Sequence, residues 1–453
     1  MNSFKSIFPF DQTTIAEYAI MSNADIDKAL QQSEKAFPIW SNKPFNERAA
    51  VLKKFADLLL EKKDALAKLM TNEMGKVLKE SVAEVEKCAL GCNYYADNAE
   101  QFLQDEIIKT NYKQSFVAFQ PIGAVLAIMP WNFPLWQVFR FAAPTLMAGN
   151  VALLKHAPNV CGCSLSIQDL FIEAGAEQGV FQSIIANVDV TEKILKSSIV
   201  QAVSLTGSEK AGSSVAAIAA TQIKKSVLEL GGSDCFIVLP DADINKAAEV
   251  AVTSRMQNAG QSCISAKRFI VIESIIDDFT EAVKQQIQKL KQGNPFDAAI
   301  TTGPVARLDL AKKIHKQVQD SISKGAHKIS GGKVDGCNYQ PTLLTNVQEG
   351  MPAFDEEVFG PVFSIIKVKD ENKAIDVANK SRYGLGGNFW TRDLDKAIVL
   401  ARKINSGSVF INSMVKSEPA LPFGGVKKSG YGRELSKHGI MEFVNVKTIT
   451  VTE

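Results

Sequence analysis

The sequence is short of the features that mark several classes of protein. It has 4 histidines in 453 residues, none near another or near a cysteine pair, which argues against a zinc site. Lys plus Arg total 51 and Asp plus Glu total 49, a net charge of +2. This is not the basic excess of a nucleic-acid-binding protein, so we expect no nucleic-acid partner.

Targeting and membrane signals are also missing. No stretch approaches the roughly 18 apolar residues of a membrane-spanning helix, and the first residues have no apolar core of signal-peptide length. The 7 cysteines are an odd number in a large protein and indicate reduced thiols. We therefore expect no membrane partner and a cytoplasmic location.

What is present is an alternation of strand and helix patterns. Residues 23–103 have helical periodicity, with Asn23 or Asp25 as the expected cap of the first helix. The apolar run 125–129 is typical of a strand buried on both faces of a parallel sheet. Similar strands and helices alternate to the end, which predicts an α/β protein of two domains with a boundary near Gly231.

The last predicted strand, residues 444–451, has no partner nearby in sequence. An unpaired terminal strand is a liability unless another strand covers it. Together with a strand predicted over 112–120, it suggests pairing between subunits and hence a homodimer or homotetramer.

Asn132 lies in the turn Pro-Trp-Asn-Phe-Pro that follows the buried strand. Open α/β sheets bind ligands at the carboxyl ends of their strands, and a side-chain amide there can donate to an oxyanion. Counted along a helix, Arg140 would lie about 12 Å beyond Asn132 on the same face. The alternative is an ordinary packed turn.

Glu229 and Cys263 are the candidate base and nucleophile. Glu229 stands between two leucines at a predicted strand end, where burial raises a carboxyl pKa and suits a general base; a paired structural Glu is equally compatible. Cys263 follows Gly-Gln-Ser at a helix end, which suggests exposure and a nucleophilic thiol. A lone cysteine is more often a small buried hydrophobe.

Residues 207–212 open a helix and can offer backbone N–H groups to a pyrophosphate. The segment matches neither common phosphate-loop pattern, so alone it is weak.

In this order, these segments resemble the aldehyde dehydrogenase superfamily from about Asn23 to the end. The motifs are PWNFP at 130–134, LTGS at 205–208, LELGG at 228–232, GQSC at 260–263, EEVFGPV at 356–362 and PFGGVKKSGYGRE at 422–434. The resemblance implies two Rossmann-like open parallel-sheet domains and a small β oligomerisation element. It assigns 1–103 and 122–230 to cofactor binding, 231–428 to catalysis, and 104–121 and 429–453 to oligomerisation and bridging.

The resemblance also implies a mechanism. Cys263 attacks an aldehyde carbon, and the Asn132 amide with the Cys263 backbone N–H holds the oxyanion. Hydride leaves for a nicotinamide, and Glu229 activates the water that hydrolyses the thioester. A structural protein without activity and an acyl-transfer enzyme sharing the cysteine are the competing function classes.

The cofactor residues implied by the resemblance lie on both predicted domains. They are Ile128, Trp131, Lys155, Pro158, Gly207, Ser208, Gly212, Leu230, Glu357 and Phe359. Many relatives that prefer NAD have a Glu at the position of Pro158. In this chain, therefore, no carboxylate at that position would repel the 2′-phosphate of NADP. We expect NADP to be accepted, alongside NAD.

Within the superfamily, the sequence is most similar to bacterial members that oxidise succinic semialdehyde. Arg140 is the candidate for binding the distal carboxylate, with an internal ion pair as the alternative. Gln257 stands where well-known members have a second Arg, which weakens the case, and Phe423 is a further candidate substrate contact. A broader enzyme for glutaric semialdehyde or medium-chain aliphatic aldehydes stays open. Ser265 replaces the cysteine that would form a regulatory disulfide with Cys263, and no metal is expected.

Overall fold

The structure is a computed structural model that describes residues 3–452. Its helices are α1 Asn23–Ser41, α2 Phe45–Glu61, α3 Lys63–Met74, α4 Leu78–Phe102, α5 Trp136–Met147, α6 Cys161–Glu173, α7 Val190–Lys196, α8 Glu209–Thr221, α9 Ile244–Met256, α10 Ile276–Gln288, α11 Leu308–Ser323, α12 Pro352–Asp355, α13 Glu371–Asn379, α14 Leu394–Ala401 and α15 Ser436–Ile440. Its strands are β1 Ser3–Ile7, β2 Thr14–Ala19, β3 Glu106–Ile107, β4 Gln114–Pro121, β5 Ala124–Met129, β6 Val151–His156, β7 Phe181–Ser183, β8 Val200–Thr206, β9 Lys225–Glu229, β10 Cys235–Val238, β11 Arg268–Ile272, β12 His327–Ser330, β13 Val334–Asp335, β14 Asn338–Tyr339, β15 Thr342–Thr345, β16 Val362–Val368, β17 Tyr383–Gly384, β18 Gly387–Trp390, β19 Phe410–Ile411, β20 Val426–Lys427, β21 Gly430–Tyr431 and β22 Val444–Val451.

The first large sheet has the strand order β21-β9-β8-β5-β6-β7. All neighbours are parallel except β21, which pairs antiparallel with β9. Helices cover both faces, so five of the six residues of β5 are buried, as expected of a strand inside a parallel sheet.

The second large sheet has the order β12-β15-β16-β11-β10-β18-β19. Its neighbours are parallel except β12, which is antiparallel to β15. The two open parallel sheets confirm the predicted fold class.

The terminal strand has a partner within the same chain, whereas we expected it to pair only with another subunit. β22 pairs antiparallel with β4 along eight residues, from Val444–Pro121 to Val451–Gln114, and β3 completes a three-stranded sheet. The sequence pattern does not reveal this pairing, because the two strands lie over 300 positions apart. Likewise, Gly430 and Tyr431 of the segment assigned to oligomerisation lie in the first large sheet, paired with β9.

The cap of the first helix also differs from the prediction. Ser22, not Asn23 or Asp25, is the N-cap, and its side chain accepts from the Asp25 backbone N–H. The Asp25 carboxylate accepts from the Ser22 N–H in return, which completes a capping box. None of the described helices is long and apolar enough to cross a membrane.

Candidate active site

One large cavity opens where the strands of the first sheet end. It has a volume of about 620 Å³. Three of its lining segments follow β5, β8 and β9, and include Trp131, Ser208 and Leu230. The carboxyl ends of neighbouring parallel strands therefore form one wall, where α/β sheets bind their ligands. We call it the cofactor cavity.

Residues of the second domain form the opposite wall, among them Cys263, Glu357 and Phe359. The Phe359 ring stands edge-on to Trp131, with 5.9 Å between ring centroids. A second cavity of about 320 Å³, which we call the substrate cavity, is lined by Arg140, Gln257 and Cys263 among others. Cys263 lines both cavities, so a group entering from either side reaches the thiol.

Asn132 lies in the turn before α5, so it does not share a helix with Arg140 as the sequence suggested. Its Nδ2 donates to the Gln261 carbonyl at 3.0 Å. The amide nitrogen carries two hydrogens, which leaves one for a ligand beside Cys263. Buried His156 anchors the turn, with Nε2 2.8 Å from the Pro134 carbonyl oxygen.

The backbone before Cys263 is strained. Asn258, Ala259 and Gly260 have φ values of 52°, 53° and 77°, in the left-handed region that non-glycine residues rarely adopt. A Cβ at Gly260 would lie 2.4 Å from the Gly360 carbonyl carbon, so only glycine fits there. Such strain persists where surrounding contacts over-determine the conformation.

Arg255 supplies several of those contacts. It is fully buried, and it donates to the Val362 carbonyl at 2.7 Å, to the Val358 carbonyl at 2.6 Å and to the Ser265 hydroxyl at 2.6 Å. It therefore ties the nucleophile loop to the segment that carries Glu357, and it is not a substrate ligand.

Lys267 makes a second link between the same two segments. Its buried Nζ donates to the carbonyls of Ser262 at 2.9 Å and Cys263 at 2.8 Å, and it lies 3.5 Å from Glu357 Oε1. A Cβ at Gly231 would lie 2.4 Å from Glu357 Oε2, so the glycine makes room for this carboxylate.

The thiol of Cys263 is not preactivated. Burial raises the pKa of Cys263 to about 12, although the positive charges of Arg140 and Lys267 act in the opposite direction. The thiol is therefore protonated at neutral pH and must lose its proton before it attacks.

Glu229 lines neither cavity in this conformation. Its carboxyl is 2% exposed and packs on Gly424, where a Cβ would lie 2.6 Å from Oε1. Burial and the neighbouring Glu434 raise its pKa well above the ordinary value, with Arg140 and Arg433 opposing the shift. Neither oxygen has a hydrogen-bond partner among the described residues.

The predicted cofactor residues fall into two groups. Those lining the cofactor cavity are Trp131, Gly207, Ser208, Leu230, Glu357 and Phe359. Those outside its lining are Ile128, Lys155, Pro158 and Gly212. Of these, Gly212 packs against Leu230, where a Cβ would lie 2.6 Å from a methyl carbon.

Lys155 and Ile128 are register neighbours at the ends of β6 and β5, beside the cofactor cavity. Lys155 is 6% exposed, and burial lowers its pKa while no carboxylate within residues 3–452 forms an ion pair with it. Such a lysine can form an ion pair with a bound anion.

The predicted substrate residues are only partly brought together. Arg140 lines the substrate cavity, but its Nε lies 2.8 Å from Glu434 Oε2, so the alternative of an internal ion pair is realised. Phe423 does not line the substrate cavity; its ring lies 4.3 Å from the Arg140 guanidinium carbon. Gln257 does line it.

Sequence reasoning missed several lining residues. Gln137 lines both cavities, and its buried Oε1 has no partner among residues 3–452. Lys210 and Arg382 add positive charge to the cofactor cavity, and Lys87 lines the substrate cavity. No sequence signal distinguishes Lys87, because the face of α4 that carries it also carries the charged residues Glu80 and Glu84.

Within residues 3–452 no group of three or more His, Cys, Asp and Glu side chains could hold a metal ion.

Comparisons with known proteins match the whole chain. The family model described as "Aldehyde dehydrogenase family" matches residues 1–449. A probable succinate-semialdehyde dehydrogenase (NADP(+)) of Synechocystis sp. is 47% identical over 449 residues, which cover 98% of this chain and 99% of that protein. The succinate-semialdehyde dehydrogenase (NADP(+)) 1 of Mycobacterium tuberculosis is 46% identical over 452 residues, which cover 98% and 99%. The crystal structure of succinic semialdehyde dehydrogenase from Streptococcus pyogenes in complex with NADP+ superposes with a TM-score of 0.97 at 37% identity, over 99% of this chain and 100% of that one.

Proposed function

The chain belongs to the aldehyde dehydrogenase family, and from that premise we propose that it oxidises succinic semialdehyde to succinate with NADP. The observation that carries the proposal is the position of Cys263, which lines both the cofactor cavity and the substrate cavity. An aldehyde carbon bound to this thiol is within reach of groups on both sides. The names and cofactor of the relatives described above support the choice of substrate and of NADP.

In the proposed reaction, the Cys263 thiol gives its proton to water in the cavity, and the sulfur then forms a bond to the aldehyde carbon as the carbonyl double bond opens to an oxyanion. The free N–H of the Asn132 amide and the Cys263 backbone N–H stabilise the oxyanion that forms. Such donors act strongly because they are fixed in place before the charge develops.

Glu229 is the proposed base for hydrolysis of the thioester. In the buried conformation its raised pKa favours the protonated carboxyl, which is not the form that acts as a base. Rotation of the side chain toward Cys263 would release it from Glu434, lower its pKa and let it take a proton from water.

We propose that the cofactor cavity, together with the residues beside it, holds NADP. Glu357 and Phe359 would hold the ribose and ring of the nicotinamide, Ser208 the pyrophosphate, and Lys155 the adenosine ribose with its 2′-phosphate. Pro158 adds no charge against that phosphate. When bound, the nicotinamide supplies the acceptor for the hydride.

Arg140 is the proposed partner of the distal carboxylate, although it shares its charge with Glu434. One of its terminal nitrogens is buried without a hydrogen-bond partner among the described residues. An unpaired buried donor is costly, and a substrate carboxylate would satisfy it.

The test is the absorbance of reduced cofactor with succinic semialdehyde and with butanal, each with NAD and NADP. We expect a large kcat/KM advantage for the semialdehyde with NADP. Equal or better turnover of butanal would discard the substrate while keeping the chemistry, and no turnover of either would discard the activity.

The Arg140–Glu434 ion pair favours a second candidate, a broader aldehyde dehydrogenase for glutaric semialdehyde or medium-chain aliphatic aldehydes. In that case Arg140 serves only the internal pair. Arg140→Ala would then lower kcat/KM equally for charged and uncharged aldehydes.

We also propose a cytoplasmic homodimer or homotetramer. β22 is an edge strand of the three-stranded sheet, and Val446 on it is 60% exposed, a surface that a second copy would cover. Light scattering on the purified protein tests this, and a monomeric mass at micromolar concentration would overturn it.

A further inference from the structure

The substrate cavity contains a further cation, Lys87, that no sequence pattern marks. Lys87 lies on α4 and lines the cavity together with Arg140, while Cys263 lines it as well. Glu80, Ala83 and Lys87 are spaced as residues on one helical face, and all three line the cavity. The helix therefore turns a charged face toward the space where the substrate would lie.

Lys87 has unused hydrogen-bonding capacity. Its Nζ donates to the Ser417 hydroxyl at 2.9 Å and lies 4.5 Å from the centre of the Trp136 ring. An ammonium has three N–H donors, and within residues 3–452 no carboxylate forms an ion pair with this one.

The two carboxylates of the cavity are engaged elsewhere. Glu84 forms an ion pair with Lys76 and accepts from the backbone N–H groups of Leu135 at 2.9 Å and Trp136 at 3.0 Å. Glu80 accepts from the Asn258 backbone N–H. Among the three cations lining the cavity, Arg140 has Glu434 and Lys416 is exposed to solvent. Lys87 is therefore the half-buried cation of the cavity that has no ion pair within residues 3–452.

The surroundings make this lysine receptive to an anion. Burial, followed by the charge of Arg140, lowers the pKa of Lys87 to about 8, while Glu418, Cys88 and Glu84 act in the opposite direction. A half-buried ammonium without a counter-ion is held at a cost, and a bound carboxylate would remove that cost.

We propose that Lys87 is a specificity-determining residue that binds the distal carboxylate of the substrate together with Arg140. The inference rests on the proposed function and deepens it. The proposal also explains why an uncharged donor, Gln257, can stand where well-known members of the family have a second Arg. Lys87 on α4 supplies the second positive charge of the cavity instead.

The test compares Lys87→Met and Lys87→Arg with the wild-type enzyme. Lys79→Met is the matched control, because Lys79 lies on the same helix and is exposed. A charge-assisted hydrogen bond lost from the carboxylate should lower kcat/KM for succinic semialdehyde about 10- to 100-fold in Lys87→Met. The loss should fall mainly on KM, exceed the loss for butanal at least about tenfold, and be largely absent in Lys87→Arg and in the control.

A second measurement needs no destabilised variant. The Kd of succinate for the NADP-loaded enzyme, measured by calorimetry, should rise about tenfold between pH 7.5 and 9.5 as Lys87 loses its proton. Glu80, whose pKa burial raises to about 7, has mostly ionised below this window. Lys87→Arg should remove the rise, since guanidinium does not titrate there.

The outcomes separate the two claims. A wild-type enzyme that does not prefer the semialdehyde over butanal refutes the proposed substrate, and with it the role of Lys87. A clear preference combined with equal losses for both aldehydes in Lys87→Met refutes only the role of Lys87. A succinate Kd that is flat across the pH window does the same.

Discussion

Lys267 is the residue whose removal should reveal most about how the site is held together. In Lys267→Met the ammonium that bonds the carbonyls of Ser262 and Cys263 and faces Glu357 is replaced by an apolar chain of similar length. Buried carbonyls then lose a donor, at roughly 1–3 kcal/mol each. Because Glu357 is part-exposed in the cofactor cavity, the lost ion pair adds little to this cost. The free energy of unfolding should therefore fall by roughly 3–5 kcal/mol in all.

For a domain of this size, that loss corresponds to a fall in Tm on the order of 10 °C, measurable by scanning fluorimetry. The thiol also loses a positive charge that lowers its pKa, so alkylation of Cys263 by iodoacetamide at pH 8.5 should slow several-fold. KM for NADP should rise because Glu357 is no longer held.

The control is Lys246→Met, which removes an exposed lysine whose ion pair within residues 3–452 is with Glu249 at 2.9 Å and should change stability by less than about 0.5 kcal/mol. A Lys267→Met protein with the Tm and alkylation rate of the wild type would show that the ammonium does not hold the loop.

Three further outcomes are expected. Glu229→Gln should still form the thioester but not hydrolyse it, giving a burst of about one reduced cofactor per active site in stopped flow; steady turnover would contradict the assigned base. Alkylation of Cys263 without cofactor should keep accelerating between pH 7 and 10, because its raised pKa leaves little thiolate at neutral pH; a plateau below pH 8 would exclude this. The Glu80 carboxyl has a pKa raised by burial to about 7, so the folded protein binds its proton more tightly than the unfolded chain, and stability should fall from pH 5 to 8; Glu80→Gln should flatten that slope in urea titrations.

The fold was predictable because its determinants are local. The apolar run of β5 predicts a buried strand from its own residues, and Cys263, Asn132 and Glu357 are marked by short motifs. All three line the cofactor cavity, from three separate loops, and their chemical roles stay predictions.

What could not be predicted depends on partners distant in sequence. The ion pair between Arg140 and Glu434 spans 294 positions. No local pattern distinguishes an arginine in such a pair from an arginine that binds a ligand. Lys87 was overlooked because a charged residue on an amphipathic helix is usually solvated. The cap at Ser22 was missed by one position, which is within the ordinary uncertainty of helix ends.

The position of β21 and β22 has a consequence for the order of events during synthesis. β9 receives its antiparallel neighbour only when residues 430–431 have been made, and β4 waits for residues 444–451. Until then, β9 and β4 each expose an unpaired strand edge, β9 while some 200 further residues are translated. Such edges recruit other chains, so nascent or truncated forms ending before residue 430 should depend on chaperones far more than the finished protein.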